Sequence, residues 1–498
     1  MKLHGTRTRE VDNAPLAITT VNMSVIGLVG TAPDAISGVA ATITTGSTIT
    51  DTAINFTAVQ TGFDGNQLSV AAVPGSPDIT DPLNPLPSDT TAEMDGNLLT
   101  ITLGTDETGV VNATALDVEA AVTVLASTLI SAEVYPGTAG EGVVEPFAAI
   151  NLQGGENEPF PLYTPSIIAG SQTQADKLGT TGSLPDDMAD ILAQTGALTI
   201  VVRVEPSENV DTQRANIMKG IVALEMAQGT LNYQPRILIA PEWSTDDGVG
   251  KQLESTAIKL RAVTYLDSLP MSPPEAVARR RQIYGPRVEM LRPRIMVADS
   301  DTGVIASRPY SAAAAGHRVR IDAQFGWWWS KSNQPVYGFV GLEQVDSFII
   351  GDELCMANQL NQVNVSTIVM MDGYRHWGNR LCTDHPKMRF EAVRRTMDAI
   401  QDSIQITVTK NFNDRPIDKA LTIALLGSID SYIRQETERG SINGGSVWLD
   451  PELNTPESLD AGEIYVNVTI SAKSPAEEIT ITYSLDSSRV FRELAIAA

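Results

Sequence analysis

Cysteine is nearly missing: the 498 residues hold two, Cys355 and Cys382. Two thiols cannot make the disulfide framework that staples small extracellular domains, so synthesis in a reducing compartment is expected. No apolar run approaches the roughly 18 residues a membrane-spanning helix needs, which argues against membrane insertion. The opening MKLHGTRTREVD has no apolar stretch behind its charges and does not read as a secretory signal. Lys and Arg are also missing from one long interval. Between Arg9 and Lys177 there are none, while twenty Asp and Glu fall there; the other 40 acids share the rest of the chain with all 35 basic residues. Such a break in composition marks a separate module. The net charge of −25 argues against a nucleic-acid partner, because phosphate recognition depends on neutralising Lys and Arg. The basic run Arg279-Arg280-Arg281 reads as a solvated helix face or a contact for an acidic patch.

The length exceeds one ordinary core, so two to four domains of about 100–200 residues are expected. Residues 1–34 begin polar and extended and end in Val25-Ile26-Gly27-Leu28-Val29, a short β-branched run that reads as a buried strand. Residues 35–157 form the acidic module. They are rich in turn signals (FDGNQ, MDGNL, PGTAGEG), with strand candidates INFTAVQ, QLSVAAV and NLLTITLG, a helix candidate at Ala113–Leu125, and a Pro-rich loop at 74–90. This pattern predicts a β-rich domain. From 158 to 350, TIVVRV (199–204) and RILIAP (236–241) are near-continuous apolar runs, as in strands covered on both faces. Helical spacing at Ile217, Ile221 and Leu224, then at Leu253, Ala257 and Leu260, completes an α/β domain.

After 351 the sequence predicts two long helices and two strands. Phe390, Val393, Met397, Ile400 and Ile404 make one apolar stripe. The second helix starts near Asp414 and Pro416 and stops at Arg439-Gly440. Ile464, Val466, Val468 and Ile470 alternate strictly, as do Ile479, Ile481, Tyr483 and Leu485. Two strands make only a ribbon, which is marginal in water and needs partner strands. The fold class is thus α+β, mixed and multi-domain.

The stretch YRHWGNRLCTDHP (374–386) gathers two of the four histidines, His376 and His385, around Cys382. Structural zinc favours paired ligands two to five apart, and that spacing is missing, so no metal is expected. A Cys382 nucleophile with a distant base stays open as a remote enzyme reading, though no protease signature surrounds it. In the simpler reading Tyr374, Trp377 and Leu381 pack, while Arg375, Asn379 and Arg380 satisfy a turn or face a neighbour. The glycine pairs, GFVGL (338–342) and Gly444-Gly445, read as tight turns and lack the GxGxxG or GxxxxGK[ST] pattern, so no cofactor is expected. Asp-Gly-Asn at 64–66 and 95–97 reads as hairpin turns rather than calcium loops. FGWWWSKSNQP (325–335) reads as packing or a protein interface before a ligand platform. No catalytic constellation emerges, and the chain is not expected to be an enzyme.

Several segments in order resemble the tail sheath proteins of contractile bacteriophages. These are HGTRTREVDNAPLAITTVNMSVIGLVGTAPDA, LGTTGSLPDDM, PRILIAPEW, GWWWSKSNQPVYGFVGL, LNQVNVSTIVMMDGYRHWGNRLC, RFEAVRRTMDAIQDSI, GGSVWLDPELNTPESLDAGEIYVNV and SPAEEITI. The resemblance covers 1–34 and roughly 158–490 and leaves 35–157 as an insertion, of a kind that faces outward in such proteins. It implies a sheath subunit that stacks in rings around an inner tube and contracts to drive the tube through the host envelope during genome ejection; a tail-like bacteriocin or other injection device is the alternative. It implies homo-oligomerisation, contacts with tail tube, baseplate and tail terminator proteins, assembly in the host cytoplasm, a place in the virion tail, and tube-facing helices after 351. It also implies exchanged arms that add strands to a neighbour's sheet. The candidates are Thr6, Arg7, Thr8, Arg9, Glu10, Val11, Asp12 and Asn13 in front, and Ile464, Val466, Val468, Ile479, Ile481, Tyr483 and Leu485 behind, with the choice between the two late strands open.

Overall fold

A computed structural model describes residues 16–77, 86–268, 272–283, 285–299 and 302–485. The chain divides into two compact units: Met1–Thr31, Ile167–Gln172 and Asp186–Ala498 form the first, and Ala32–Ser166 with Thr173–Pro185 the second. Strand β1 (Val25–Thr31) belongs to the first unit. The second holds β2 (Ala40–Thr45), β3 (Ile54–Thr61), β4 (Ser69–Pro74), β5 (Thr91–Asp95), β6 (Leu98–Leu103), β7 (Ile130–Val134) and β8 (Phe147–Asn151), with helix α1 (Ala115–Leu125).

In the second unit the strands form two sheets, ordered β2-β3-β7 and β5-β6-β4-β8. Ile54, Phe56, Leu99, Ile101, Val118 and Val122 meet in a core of their own. Thr114 caps α1: its hydroxyl accepts from the Asp117 amide at 3.2 Å, and the Thr114 amide donates back to the Asp117 carboxylate at 2.8 Å. Asp95-Gly96-Asn97 turns β5 into β6 with Gly96 at φ +57°. Asp64-Gly65-Asn66 turns no hairpin. It lies in a short 3₁₀ helix, Phe63–Gln67, whose Gly65 is buried. Residues 78–85 of the Pro-rich stretch lie outside the described residues.

The first unit is built on an eight-stranded sheet. Its later strands are β9 (Ser166–Ala169), β10 (Leu198–Val204), β11 (Ile237–Ile239), β12 (Val263–Asp267), β13 (Val288–Leu291), β17 (Val365–Met370) and β18 (Tyr374–Trp377), in the order β18-β17-β13-β12-β11-β1-β10-β9. β1 pairs in parallel with β10 on one side and β11 on the other, so that Leu28 faces both Val201 and Ile239. Such central strands are covered on both faces, which explains their continuous apolar runs. Helices α2 (Val210–Ala223) and α3 (Asp247–Lys259) pack on this sheet. α2 comes so close that a Cβ on Gly220 would lie 2.5 Å from Val204 and 2.6 Å from Val29. A small antiparallel sheet, β14 (Ile295–Ala298), β15 (Ile305–Arg308) and β16 (Gly341–Leu342), follows. The sheet strands β17 and β18 come after residue 351 in the chain. The molecule is therefore a mixed α/β, multi-sheet protein.

Among the helices of this unit are α4 (Ser311–Phe325), α5 (Glu391–Asn411) and α6 (Lys419–Arg439). α6 begins later than the sequence signals indicate. Asp418 is its cap, and the Asp418 carboxylate accepts from the Leu421 amide at 2.6 Å. Asp414 instead sits in the left-handed region at φ +62° and belongs to the loop. Gly440, at φ +86°, closes the helix as expected. Beyond it β19 (Ile442–Leu449) pairs antiparallel with β20 (Val466–Ala472).

Candidate functional site

The helix pair α5–α6 presents an apolar face to the β19–β20 ribbon. Ile400, Phe412, Leu421, Leu425, Ile429 and Tyr432 are buried there, with Ile464, Val466, Val468 and Ile470 packed half-buried against them. The packing is incomplete. A cavity of about 790 Å³ remains between helices and ribbon, lined by Ile404, Val408, Leu421, Leu425, Val466, Val468 and Ile470 among others. Among the described residues the ribbon has two strands only.

The partner of the 464–470 strand was not visible as a strand in the sequence. INGGSVWL carries Gly444-Gly445, which reads as a turn, yet both glycines lie within β19. Gly444 sits at φ +141° beside a register shift. A Cβ on Gly445 would lie 2.3 Å from the Thr469 carbonyl of β20. The glycines permit a bulge and a close backbone approach rather than a chain reversal.

The second alternating segment makes no strand in this chain. Ile479, Ile481, Tyr483 and Leu485 are 76%, 65%, 88% and 97% exposed. Among the described residues, 474–485 have no regular structure. Alternation marks a strand only when another strand supplies its hydrogen bonds, and here none does. Thr6–Asn13 lie outside the described residues. The chain becomes described at Leu16, which is held on the helix pair. Its amide donates to Ser428 Oγ at 2.8 Å, the Val21 amide to Ser403 Oγ at 3.0 Å, and Arg395 donates to the Met23 carbonyl at 2.7 Å.

The 374–386 cluster resolves into packing. Trp377 lies edge-on to Phe348 at 4.9 Å and Tyr374 lies against Phe339 at 4.8 Å; Leu381 is fully buried. Arg375 donates to the carbonyls of Met371 and Asn333, and Arg380 pairs with Glu477. His385 is exposed, and its Nδ1 accepts from the Lys387 and Met388 amides at 3.2 Å. His376 is buried, 2.9 Å from Tyr310 Oη and 3.1 Å from Glu289 Oε1. Burial pushes the Cys382 thiol up to about 12, so it carries almost no thiolate near neutral pH. The thiol side chain is itself fully buried, an environment that disfavours the thiolate a nucleophile needs. Among the described residues no group of three or more His, Cys, Asp and Glu is placed to hold a metal ion.

A buried charge network lies behind this cluster and escaped sequence reasoning. Lys331 Nζ is 2.7 Å from Glu289 and 3.5 Å from Glu391, and sits 3.6 Å over the Tyr265 ring. Arg395 and Arg318 bracket Asp322 at 2.6 and 2.7 Å. Burial is the largest influence and would push the Glu289 and Glu391 carboxyls up, but Lys331 together with His376 at Glu289, and with Arg318 and Arg395 at Glu391, holds both below the usual range. The network fastens α5 (Glu391, Arg395) to β13 (Glu289) and α4 (Asp322). Arg318 and Asp322 are four apart on α4 and Glu391 and Arg395 four apart on α5, but the links between elements join residues far apart in sequence.

This architecture has known counterparts. A family model described as the phage tail sheath C-terminal domain matches residues 383–486. Over 322 residues the chain is 32% identical to a putative prophage major tail sheath protein of Pseudomonas aeruginosa (strain UCBPP-PA14), a match covering 63% of this chain and 83% of that protein. It is 29% identical over 340 residues to the tail sheath protein of Escherichia phage P2, covering 65% and 85%. Among solved structures, the fold is similar to the contracted sheath complex of the extracellular contractile injection system PVC, with a TM-score of 0.53, 20% identity and coverage of 67% and 90%. It is also similar to the contracted helical sheath of the anti-feeding prophage, with a TM-score of 0.52, 18% identity and coverage of 65% and 89%. By the identity and reach of these matches, the chain belongs to the phage tail sheath protein family.

Proposed function

We propose that the chain is the repeating structural subunit of a contractile tail sheath. Copies stack as rings around an inner tube and, on release by the baseplate, move as rigid bodies into a wider and shorter lattice that drives the tube through the host envelope. The energy is stored at assembly and no catalytic step is involved. The partners are other copies of the chain, the tail tube protein, and the baseplate and tail terminator proteins; the place of action is the virion tail.

The observation that carries this reading is an unfinished ribbon beside an apolar cavity, in a chain whose own tail alternates apolar residues without a strand partner. Strand addition would give the tail's backbone its hydrogen bonds and cover the cavity, with alternate side chains fixing register. Each Ile or Leu so buried contributes about 1.5–3 kcal/mol, so two or three anchors offset much of the ordering entropy of a short strand. In this assignment Ile464, Val466 and Val468 belong to the receiving ribbon, and Ile479, Ile481, Tyr483 and Leu485 to the donated strand. Thr6–Asn13 is the second donor. The acidic module of 35–157 is an addition to this machinery, and 158–350 and 351–498 supply the sheath core.

Negative-stain electron microscopy of the purified full-length chain, beside one lacking residues 1–13, tests the reading. Long hollow tubes are expected from the full chain only. Discrete globular particles in both samples would overturn it. A second vehicle, an injection device without a genome, is favoured by the likeness to the PVC and anti-feeding prophage sheaths. Particles ending in DNA-filled heads would decide for the phage, and headless particles for the device.

A further inference from the structure

The tail of residues 474–485 makes few polar contacts. Among the described residues no backbone amide from 473 to 485 donates to another backbone carbonyl. Thr480 reaches its neighbour Glu478, and among the described residues the one long-range polar contact is the ion pair of Glu477 with Arg380. Both partners are partly covered, with side chains 25% and 31% exposed. The placement of Arg380 is rigid. Its backbone bridges Phe390 at the start of α5, the Leu381 amide donates to Arg389 at 2.7 Å, and the Cys382 amide to Val288 of β13 at 2.7 Å. The Arg380 backbone is thus held where the eight-stranded sheet meets the helix pair. Its side chain captures the tail two residues before the first apolar side chain of the alternating segment, Ile479.

We propose that Arg380 is a positioning residue for the C-terminal arm, gripping Glu477 so that the donated strand leaves its own subunit from a fixed point. The inference rests on the arm reading above. From the end of β20 at Ala472 the chain could carry Leu485 about 44 Å; from Glu477 it carries it about 27 Å. For a flexible segment, shortening the free length from thirteen residues to eight raises the effective concentration at a neighbour within reach about twofold, and a fixed direction adds to that gain. The contact is a single one, from one terminal nitrogen of Arg380 to one carboxylate oxygen of Glu477, so it tethers the tail at a point.

The test compares four full-length proteins: wild type, Arg380→Glu, Glu477→Arg, and the double charge swap. The initial rate of tube growth is followed by light scattering, and the thermal midpoint of the unassembled subunit is recorded beside it. Each single reversal is expected to slow growth at least about twofold with the midpoint unchanged, and the swap to restore the wild-type rate. If Arg380→Glu lowers the midpoint, Arg380→Gln takes its place in the comparison. Single reversals that grow at the wild-type rate, or a swap no faster than the slower single, would overturn the positioning role alone. A wild-type chain that forms no tubes would overturn the sheath reading together with it.

Discussion

At the scale of the residue, the most consequential group is Lys331, fully buried between Glu289 and Glu391. Removing one partner of a buried ion network leaves its counter-charge without compensation, which costs about 3–5 kcal/mol. Lys331→Met is therefore expected to lower subunit stability by about that amount in urea denaturation, and adding Glu289→Gln to recover part of it. A loss under about 1 kcal/mol would show the network to be incidental. His317 on α4 behaves differently. It is fully buried, and neither ring nitrogen has a hydrogen-bond partner among the described residues. Burial, followed by the nearby His376, Arg320, Lys331 and Arg318, pushes its pKa well below the ordinary 6.5. The unfolded chain therefore takes up a proton at a pH where the folded one does not. This residue's contribution is complete above about pH 6.5 and is lost as the pH falls below it. Relative to His317→Leu, the wild type should lose stability as the pH falls from 6.5 towards 5. Parallel stability curves for the two proteins would refute this assignment.

At the scale of the element, the proposed mechanism rests on the tail and the ribbon. Because Ile479, Ile481, Tyr483 and Leu485 are largely exposed in the single subunit, replacing all four by Ser removes few of their contacts. The substituted subunit should melt within about 1 kcal/mol of the wild type and yet form no tubes. A marked loss of subunit stability would instead assign the segment to its own fold. The same elements show how far sequence alone could reach. β1, β10 and β11 were legible because a doubly covered strand needs an unbroken apolar run. α5 was legible through its stripe, and the end of α6 through Gly440. β19 was not, since glycines that admit a neighbouring backbone look like glycines that reverse a chain. At the proposed assembly site, the alternation of 464–470 and 479–485 was legible, but not their difference: one has β19 beside it and the other has no strand beside it among the described residues. The Arg380–Glu477 contact spans 97 residues, and the Lys331 network joins four elements, so neither leaves a periodic trace. Periodicity reports which face is apolar; it is silent on which distant charge answers a buried one.

At the scale of the whole molecule, charge is the unequal quantity. Ala32–Ser166 of the second unit carries seventeen Asp and Glu with no Lys or Arg, whereas outside the cation-free interval 40 acids face 35 basic residues. A polymer repeats that imbalance in every copy, and like charges brought near one another oppose assembly until salt screens them. The Debye length is about 10 Å at 0.1 M salt and about 3 Å at 1 M, so the opposition should fade across that range. Tube formation by the full chain is thus expected to need a lower protein concentration as sodium chloride rises. Changing the exposed Glu93, Asp95, Glu107, Glu133 and Glu145 to their amides removes five charges without touching the helix pair, the ribbon or either arm. The amide variant should polymerise at a lower concentration than wild type in dilute salt, and the two should converge near 1 M. The apolar anchors of the tail predict the same sense of salt response in both proteins, because salting-out strengthens burial regardless of the second unit. Only the gap between the proteins at low salt isolates the acidic unit, and sedimentation of tubes at graded protein concentration measures it. Equal critical concentrations in dilute salt would mean that the seventeen acids are kept too far from their counterparts to matter.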